Sequence, residues 1–279
     1  MGDCNFCGQP AGFLRHQHKE CLQRHDDGTR KLLSLMSLGS TVPATTLVEQ
    51  INEIADHSFI DEAERRKLEV QGWSNAVEGA LSNNILDEAS EKQLAEWKDK
   101  FSFSQVELES NESYTHLTKS VVIRELLNGV IPKHFAFKEA PAFNLQKGEL
   151  VVWGFFPVGY FEERVHRAYV GRSQGVSIRV MKGVYYRTGA FQGHAVTSKD
   201  TVLADTGVMA VTNKHIYFSG PSKSFRVPYR KIVSFSPHSD GIGIFRDAVS
   251  AKPQIFVNGD GWFTYNLVVN LAHLDAQQN

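Results

Sequence analysis

Every cysteine of this 279-residue chain lies within its first 21 residues, MGDCNFCGQPAGFLRHQHKEC. Cys4 and Cys7 form a Cys-x2-Cys pair, and a ten-residue gap leads to His18-x2-Cys21. Two close ligand pairs joined by a short loop suit a tetrahedral Zn²⁺ ion held by three thiolates and one imidazole. Gly8 follows the first pair, where a tight knuckle needs a residue free to take positive φ. Four protein ligands leave no position for water, so the expected role of the zinc is structural rather than catalytic. His16 competes for the fourth place. His16 and His18 face opposite sides of an extended segment, and the spacing of His18 to Cys21 mirrors that of the first pair, which favours His18. His25 is expected at the surface.

The ligands need elements to hold them. Residues 18–37 have helical character, with Gly28 as a weak point, and His18 and Cys21 at i, i+3 point the same way from a first helical turn. A piece this short buries no core of its own, so the metal is expected to hold it together. Knuckle, hairpin and helix resemble a treble-clef finger. Such fingers bind nucleic acid or protein, or brace a terminus. Arg15, Lys19 and Arg24 are interleaved with Glu20, Asp26 and Asp27, so no clean basic stripe is expected for phosphates.

Residues 45–131 read as an acidic helical domain with an internal repeat. IADHSFIDEAERRKL from Ile54 aligns with ALSNNILDEASEKQL from Ala80 at an offset of 26 residues. Ile60 matches Leu86, Asp61 matches Asp87 and Leu68 matches Leu94. Each unit reads as helix, turn and a second helix opened by Asp-Glu-Ala. Asp61 or Asp87 is an expected N-cap, and the acids near the start of each second helix suit the helix dipole. Trp73 and Trp97 read as packing anchors. Calcium is not expected, because no Asp-x-Asp-x-Asp-Gly loop ends in a Glu at its twelfth position. SVVIRELLNGVIP from Ser120 reads as a further helix stopped by Gly129 and Pro132. The hairpin unit with its Asp-Glu opening resembles modules found beside membrane-linked or stress-related bacterial domains, the tellurite-resistance type among them.

From about residue 146 the apolar period becomes two. Expected strands cover 149–156, 161–170, 176–186, 207–212 with 216–218, 224–228, 232–237, 241–245 and 254–257, and 261–274 has helical spacing. Asp205-Thr-Gly-Val-Met-Ala-Val-Thr-Asn-Lys-His-Ile-Tyr-Phe-Ser-Gly220, followed by Lys223-Ser-Phe-Arg-Val-Pro-Tyr-Arg-Lys-Ile-Val-Ser, resembles a hairpin common in GRAM-type and bacterial pleckstrin-homology-like domains. The resemblance covers 146–276 and implies a bent β-barrel or sandwich of roughly seven strands, plugged at one end by the C-terminal helix. The fold expectation is therefore α+β, with a zinc finger at 1–37, helical hairpin repeats at 45–131 and a pleckstrin-homology-like domain at 146–276. RVHRAYVGRSQGVSIRVMKGVYYRTG looks like the early strands of bacterial proteins of this kind whose function is unknown.

The net charge of −1 hides a division. Residues 51–112 hold 15 acidic and 6 basic side chains, a net of −9; residues 161–231 hold 4 and 12, a net of +8. Arg164, Arg167, Arg172, Arg179, Lys182, Arg187 and Lys214 are candidate anion-binding residues, with Thr212-Asn213-Lys214 also readable as a hairpin turn. No Walker loop, Gly-x-Ser-x-Gly elbow or His-Glu-x-x-His is present, so no enzymatic activity is expected. The start lacks the basic and apolar runs of an export signal, and no run of about 18 apolar residues offers a membrane span. A cytoplasmic, bacterial adaptor is the expectation, with a protein partner and self-association through the β-domain. The alternatives are an anionic membrane surface met by the basic half and nucleic acid met by the finger.

Overall fold

The computed structural model describes residues 2–13, 15–37, 42–81, 86–133, 143–173, 176–181, 184–188, 191–248 and 252–278, with the backbone alone described for 164–199 and for residue 278. Two compact units divide the chain, Met1–Val130 and Ile131–Asn279.

The first unit is helical. Helix α1 (Lys19–Ser37) packs against α2 (Ala44–His57) and α3 (Glu62–Ala80), and α3 packs against α4 (Glu88–Lys100) and α6 (Ser113–Leu127). The short α5 (Gln105–Leu108) opens with a capping box between Ser104 and Glu107. Leu32 and Met36 from α1, Leu47 and Ile51 from α2, Trp73 and Val77 from α3 and Trp97 from α4 are sealed in one core. Each such side chain contributes on the order of 1.5–3 kcal/mol through burial.

The 26-residue repeat is a structural repeat. Asp61 caps α3 by accepting from the Glu64 N–H at 2.8 Å, and Asp87 caps α4 from the Ser90 N–H at 2.9 Å. Ile60, Leu86, Leu68 and Leu94 all face the same core, and the Trp73 indole N–H donates to the Leu94 carbonyl at 3.1 Å. Both tryptophans are packing anchors, as expected. Gly28 is no weak point: it is buried where α1 crosses the end of α2, and a Cβ there would overlap the side chain of Ser58. Helix α6 starts at Ser113, seven residues before the expected helix.

The second unit is a seven-stranded open antiparallel sheet with a C-terminal helix, so the chain as a whole is α+β. The strand order is β6 (Ser224–Pro228), β5 (His215–Ser219), β4 (Phe191–Thr212), β1 (Val151–Ser173), β9 (Gln254–Val257), β8 (Gly241–Arg246) and β7 (Ile232–His238). A separate pair, β2 (Val176–Met181) and β3 (Val184–Thr188), lies between β1 and β4 in the chain. Helix α7 (Gly261–Gln278) packs against β7 and β8, and the Phe263 ring lies 4.8 Å from that of Trp153.

Three strand expectations change. The stretches 149–156 and 161–170 are one strand, because β1 absorbs the intervening Pro157-Val-Gly-Tyr at register shifts rather than at a turn. The stretch 176–186 is a hairpin rather than one strand. Strand β4 begins at Phe191, sixteen residues before the expected Gly207. Gly207 is required where it stands: a Cβ there would meet the Ser219 carbonyl on the neighbouring strand.

Candidate metal centre

The first turn of the chain is built around Cys4. Its N–H donates to the Gln9 carbonyl at 2.8 Å, and its carbonyl accepts from the Gly8 N–H at 2.9 Å. That closure needs Gly8 at φ +70°, which glycine alone adopts without cost. The Asn5 N–H donates to the His16 carbonyl at 2.9 Å and brings the second ligand pair alongside the first. The Leu22 N–H donates to the His18 carbonyl at 3.0 Å, so His18 stands at the lip of α1 and Cys21 in its first turn.

The result is a cluster of four. One ligand atom from each of Cys4, Cys7, His18 and Cys21 lies within 4.8 Å of the others. His18 Nδ1 is 3.3 Å from Cys7 Sγ and 3.7 Å from Cys21 Sγ. A tetrahedral ion with metal–sulfur bonds of about 2.3 Å and metal–nitrogen bonds of about 2.0–2.1 Å sets sulfur and nitrogen about 3.5 Å apart. The two observed separations bracket that value, so the four residues fit a metal ion. His18 Nε2 donates to the Pro10 carbonyl at 3.1 Å. That bond places the ring proton on Nε2 and leaves the Nδ1 lone pair facing the thiols, the arrangement expected around a ligating histidine. His16 is exposed and outside the cluster.

The electrostatics call for a cation. Burial pushes the Cys4 thiol up, but hydrogen bonds from the N–H groups of Cys7, His18 and Phe6 outweigh it and bring its pKa down to about 6. Cys21 is pushed up to about 11, by burial first and then by the sulfurs of Cys7 and Cys4 beside it. Three crowded sulfurs resist a third negative charge, and a bound dication removes that resistance.

The centre is also anchored, which the sequence did not reveal. Phe6, inside the Cys4–Cys7 knuckle, packs its ring 4.8 Å from His25 at a 35° tilt and lies 6.0 Å from the Phe59 ring. His25, expected at the surface, has a side chain only 15% exposed and an Nε2 placed 2.9 Å from the Glu64 carboxylate on α3. Arg24 sits over the Phe59 ring at 5.6 Å. The only hint was the amphipathic spacing of α1, which places position 25 on the same side as Gly28 and Leu32.

The anion-binding candidates all belong to the second unit. Lys214 lies in the β4–β5 turn, where its ammonium donates to the Lys147 carbonyl at 3.3 Å. Arg164, Arg167 and Arg172 are carried by β1, Arg179 by β2 and Arg187 by β3, with only their backbone described; Lys182 lies outside the described residues. The Thr212-Asn213-Lys214 turn belongs to a buried polar cluster the sequence did not disclose. The fully buried Glu149 carboxylate meets four donors: Thr212 Oγ1 at 2.6 Å, His215 Nδ1 at 2.8 Å, the Tyr217 hydroxyl at 2.8 Å and the Gln146 N–H at 2.7 Å. Burial pushes this carboxyl up, but the four hydrogen bonds outweigh it and hold it below the usual carboxylate range.

No family model matches this chain, and no curated protein matches it either. Among the described residues, no helix is long and apolar enough to cross a membrane.

Proposed function

We propose that this chain is a non-catalytic adaptor in which a structural zinc ion braces the helical unit and the β unit is a pleckstrin-homology-like interaction module. The observation that carries the reading is the four-ligand cluster. Three thiolates and one imidazole form a set that zinc favours, and with all four positions supplied by protein the ion keeps none for a substrate. Its Phe6 and His25 anchors run into the helical array, as suits a brace. Cys4, Cys7, His18 and Cys21 would hold the ion, which supplies positive charge and folding energy rather than reactivity.

Two observations support the pleckstrin-homology-like reading. Strands β1, β4, β5 and β6 form a continuous meander, β7, β8 and β9 form a second that returns to β1, and α7 follows and packs on the sheet. Among the described residues, β6 and β7 each pair on one side only. Val233 on β7 is 68% exposed. An edge of this kind pairs with an extended segment of another protein.

Cobalt substitution tests the metal half. The expected result is one ion per chain with the absorption of a tetrahedral Co²⁺–thiolate centre, unaltered by added azide or thiocyanate. A spectrum that shifts on adding those anions would reveal an open position and remove the non-catalytic reading. Light scattering on the full chain with and without zinc tests the interaction half. A multimer that survives zinc removal places association in the helical or β part.

A further inference from the structure

Strands β1 and β4 outrun the sheet that holds them. Strand β9 pairs with β1 only over 159–162, and β5 pairs with β4 only over 208–211. From Arg164↔Asp200 to Ser173↔Phe191 the two strands continue as ten successive pairs with no register shift, and among the described residues no third strand joins them. At about 3.4 Å per residue this ribbon is some 33 Å long. The β2–β3 hairpin lies at its far end. A ribbon of two strands alone is marginal in water, so its length needs a partner.

The sequence of this arm is one-sided in charge. Residues 164–199 contain seven Arg and Lys and no Asp or Glu, and the one acid in the ladder is Asp200, opposite Arg164. Register spreads the cations over both faces of the ladder. Positions 164 and 172 lie on one face, and positions 167 and 199 on the other, since Lys199 is opposite Val165. At the tip, Arg179 is opposite Tyr185 and Arg187 opposite Ser177, so positions 177, 179, 185 and 187 fall on one face of the ladder. Midway, Gly171 is opposite Gly193, a cross-strand pair without side chains. Paired glycines of that sort mark a place where another backbone comes close.

We propose that the β1–β4 ribbon and its β2–β3 tip form an arm that grips double-helical nucleic acid, chiefly by its phosphates. A two-stranded ribbon fits the width of a major groove, whose two phosphate walls meet cations on both faces, and the ribbon spans about one helical turn. A planar anionic membrane satisfies one face only, and it offers nothing to cations spread along the stem. With phosphate contacts dominant, binding is strong at low salt and tolerant of sequence.

The test uses the full chain and a fluorescein-labelled duplex of about one to two helical turns, followed by anisotropy. Four to six phosphate contacts predict an affinity that falls roughly 100- to 2,000-fold between about 50 and 200 mM salt. Changing Arg167, Arg172, Arg179 and Arg187 together to Gln should flatten the salt slope by about 0.9 per lost contact and weaken binding at least about tenfold at low salt. Changing the same four to Lys keeps the charge and should keep the slope, which separates lost contacts from a misfolded arm. The proposal is overturned if the Gln variant binds duplex as the wild type does. It is equally overturned if the wild type ignores duplex while binding vesicles of phosphatidylcholine and phosphatidylserine, which would assign the arm to a membrane surface.

Discussion

At the scale of single residues, the metal centre rests on a division of labour between the two nitrogens of His18. Nδ1 faces the sulfurs and Nε2 is fixed by the Pro10 carbonyl. His18→Ala should therefore weaken zinc binding by more than about 100-fold, the upper range for losing even an outer-shell partner. His16→Ala should leave the affinity unchanged. Competition against a chromophoric chelator reads both, and equal losses would mean that His16 exchanges for His18 in solution. The tetrad was legible in the sequence because metal ligation demands particular side chains at short spacing. Glu149 was not, because its partners Thr212, His215 and Tyr217 lie 63, 66 and 68 positions away and nothing local marks a carboxylate for burial. Glu149→Ala strands three buried polar side chains and should cost about 3–5 kcal/mol, as breaking a buried pair does; urea unfolding measures it.

At the scale of elements, helices announced themselves and long strands did not. The Asp-Glu-Ala openings marked Asp61 or Asp87 as an N-cap and both residues cap a helix, and the apolar residues of α3 and α4 follow from the repeat. The β1 half of the ribbon lies largely within the strand expected at 161–170, whereas its β4 half escaped because FQGHAVTSKD, 191–200, holds no sustained apolar alternation. Packing between elements was equally invisible: Gly28 read as a weak point in α1 because its neighbour Ser58, the C-cap of α2, lies 30 positions on in the chain. Gly28→Ala should destabilise the helical unit by about 1–3 kcal/mol through overpacking, although alanine is the better helix former. Adding Ser58→Gly should recover part of the loss, and a double-mutant cycle from denaturant midpoints decides it. A second inter-element tie is Arg66. It forks onto Glu107 at 2.7 and 2.9 Å, donates to the Phe101 carbonyl at 2.7 Å and lies 4.8 Å over the Phe103 ring. The Arg66 guanidinium, with help from Ser104, holds Glu107 at a pKa of about 2. A carboxylate depressed in the folded state stabilises above its unfolded pKa, about 4.3, and that stabilisation fades as pH falls through about 2. Glu107→Gln should thus flatten the loss of stability between about pH 4 and pH 2. A thermal-unfolding series across that range checks it, and an unchanged acid slope in the variant would show that the pair contributes nothing.

At the scale of the whole molecule, charge follows the division into units: the acidic stretch 51–112 lies inside the first and the basic stretch 161–231 inside the second. The candidate metal site lies in the first unit, and α1 runs from it into the core. One helix of 19 residues holds Cys21 in its opening turn and seals Leu32 and Met36 in the core. Between these ends, Arg24 covers Phe59, His25 pairs with Glu64 and Gly28 meets Ser58. Metal binding at the four ligands would therefore be linked to the order of the α1–α3 crossing, and a free ion at about 100 times its dissociation constant would add about 2.7 kcal/mol to whatever unfolds with the site. The loss on chelation should be graded along α1. Leu32 and Met36 are sealed among α2 and α3 and touch no ligand, so only the stretch before them should depend on the ion. Hydrogen exchange on the full chain should show amide protection lost from 4 to about 28 and around 59–64, kept from 32 to 37, and unchanged in β5 and β8. If protection vanishes through residue 37 and across α3, the ion supports the entire helical unit and the core alone does not hold it. If protection fails only before residue 19, the finger is an independent appendage, and Phe6 and His25 transmit nothing.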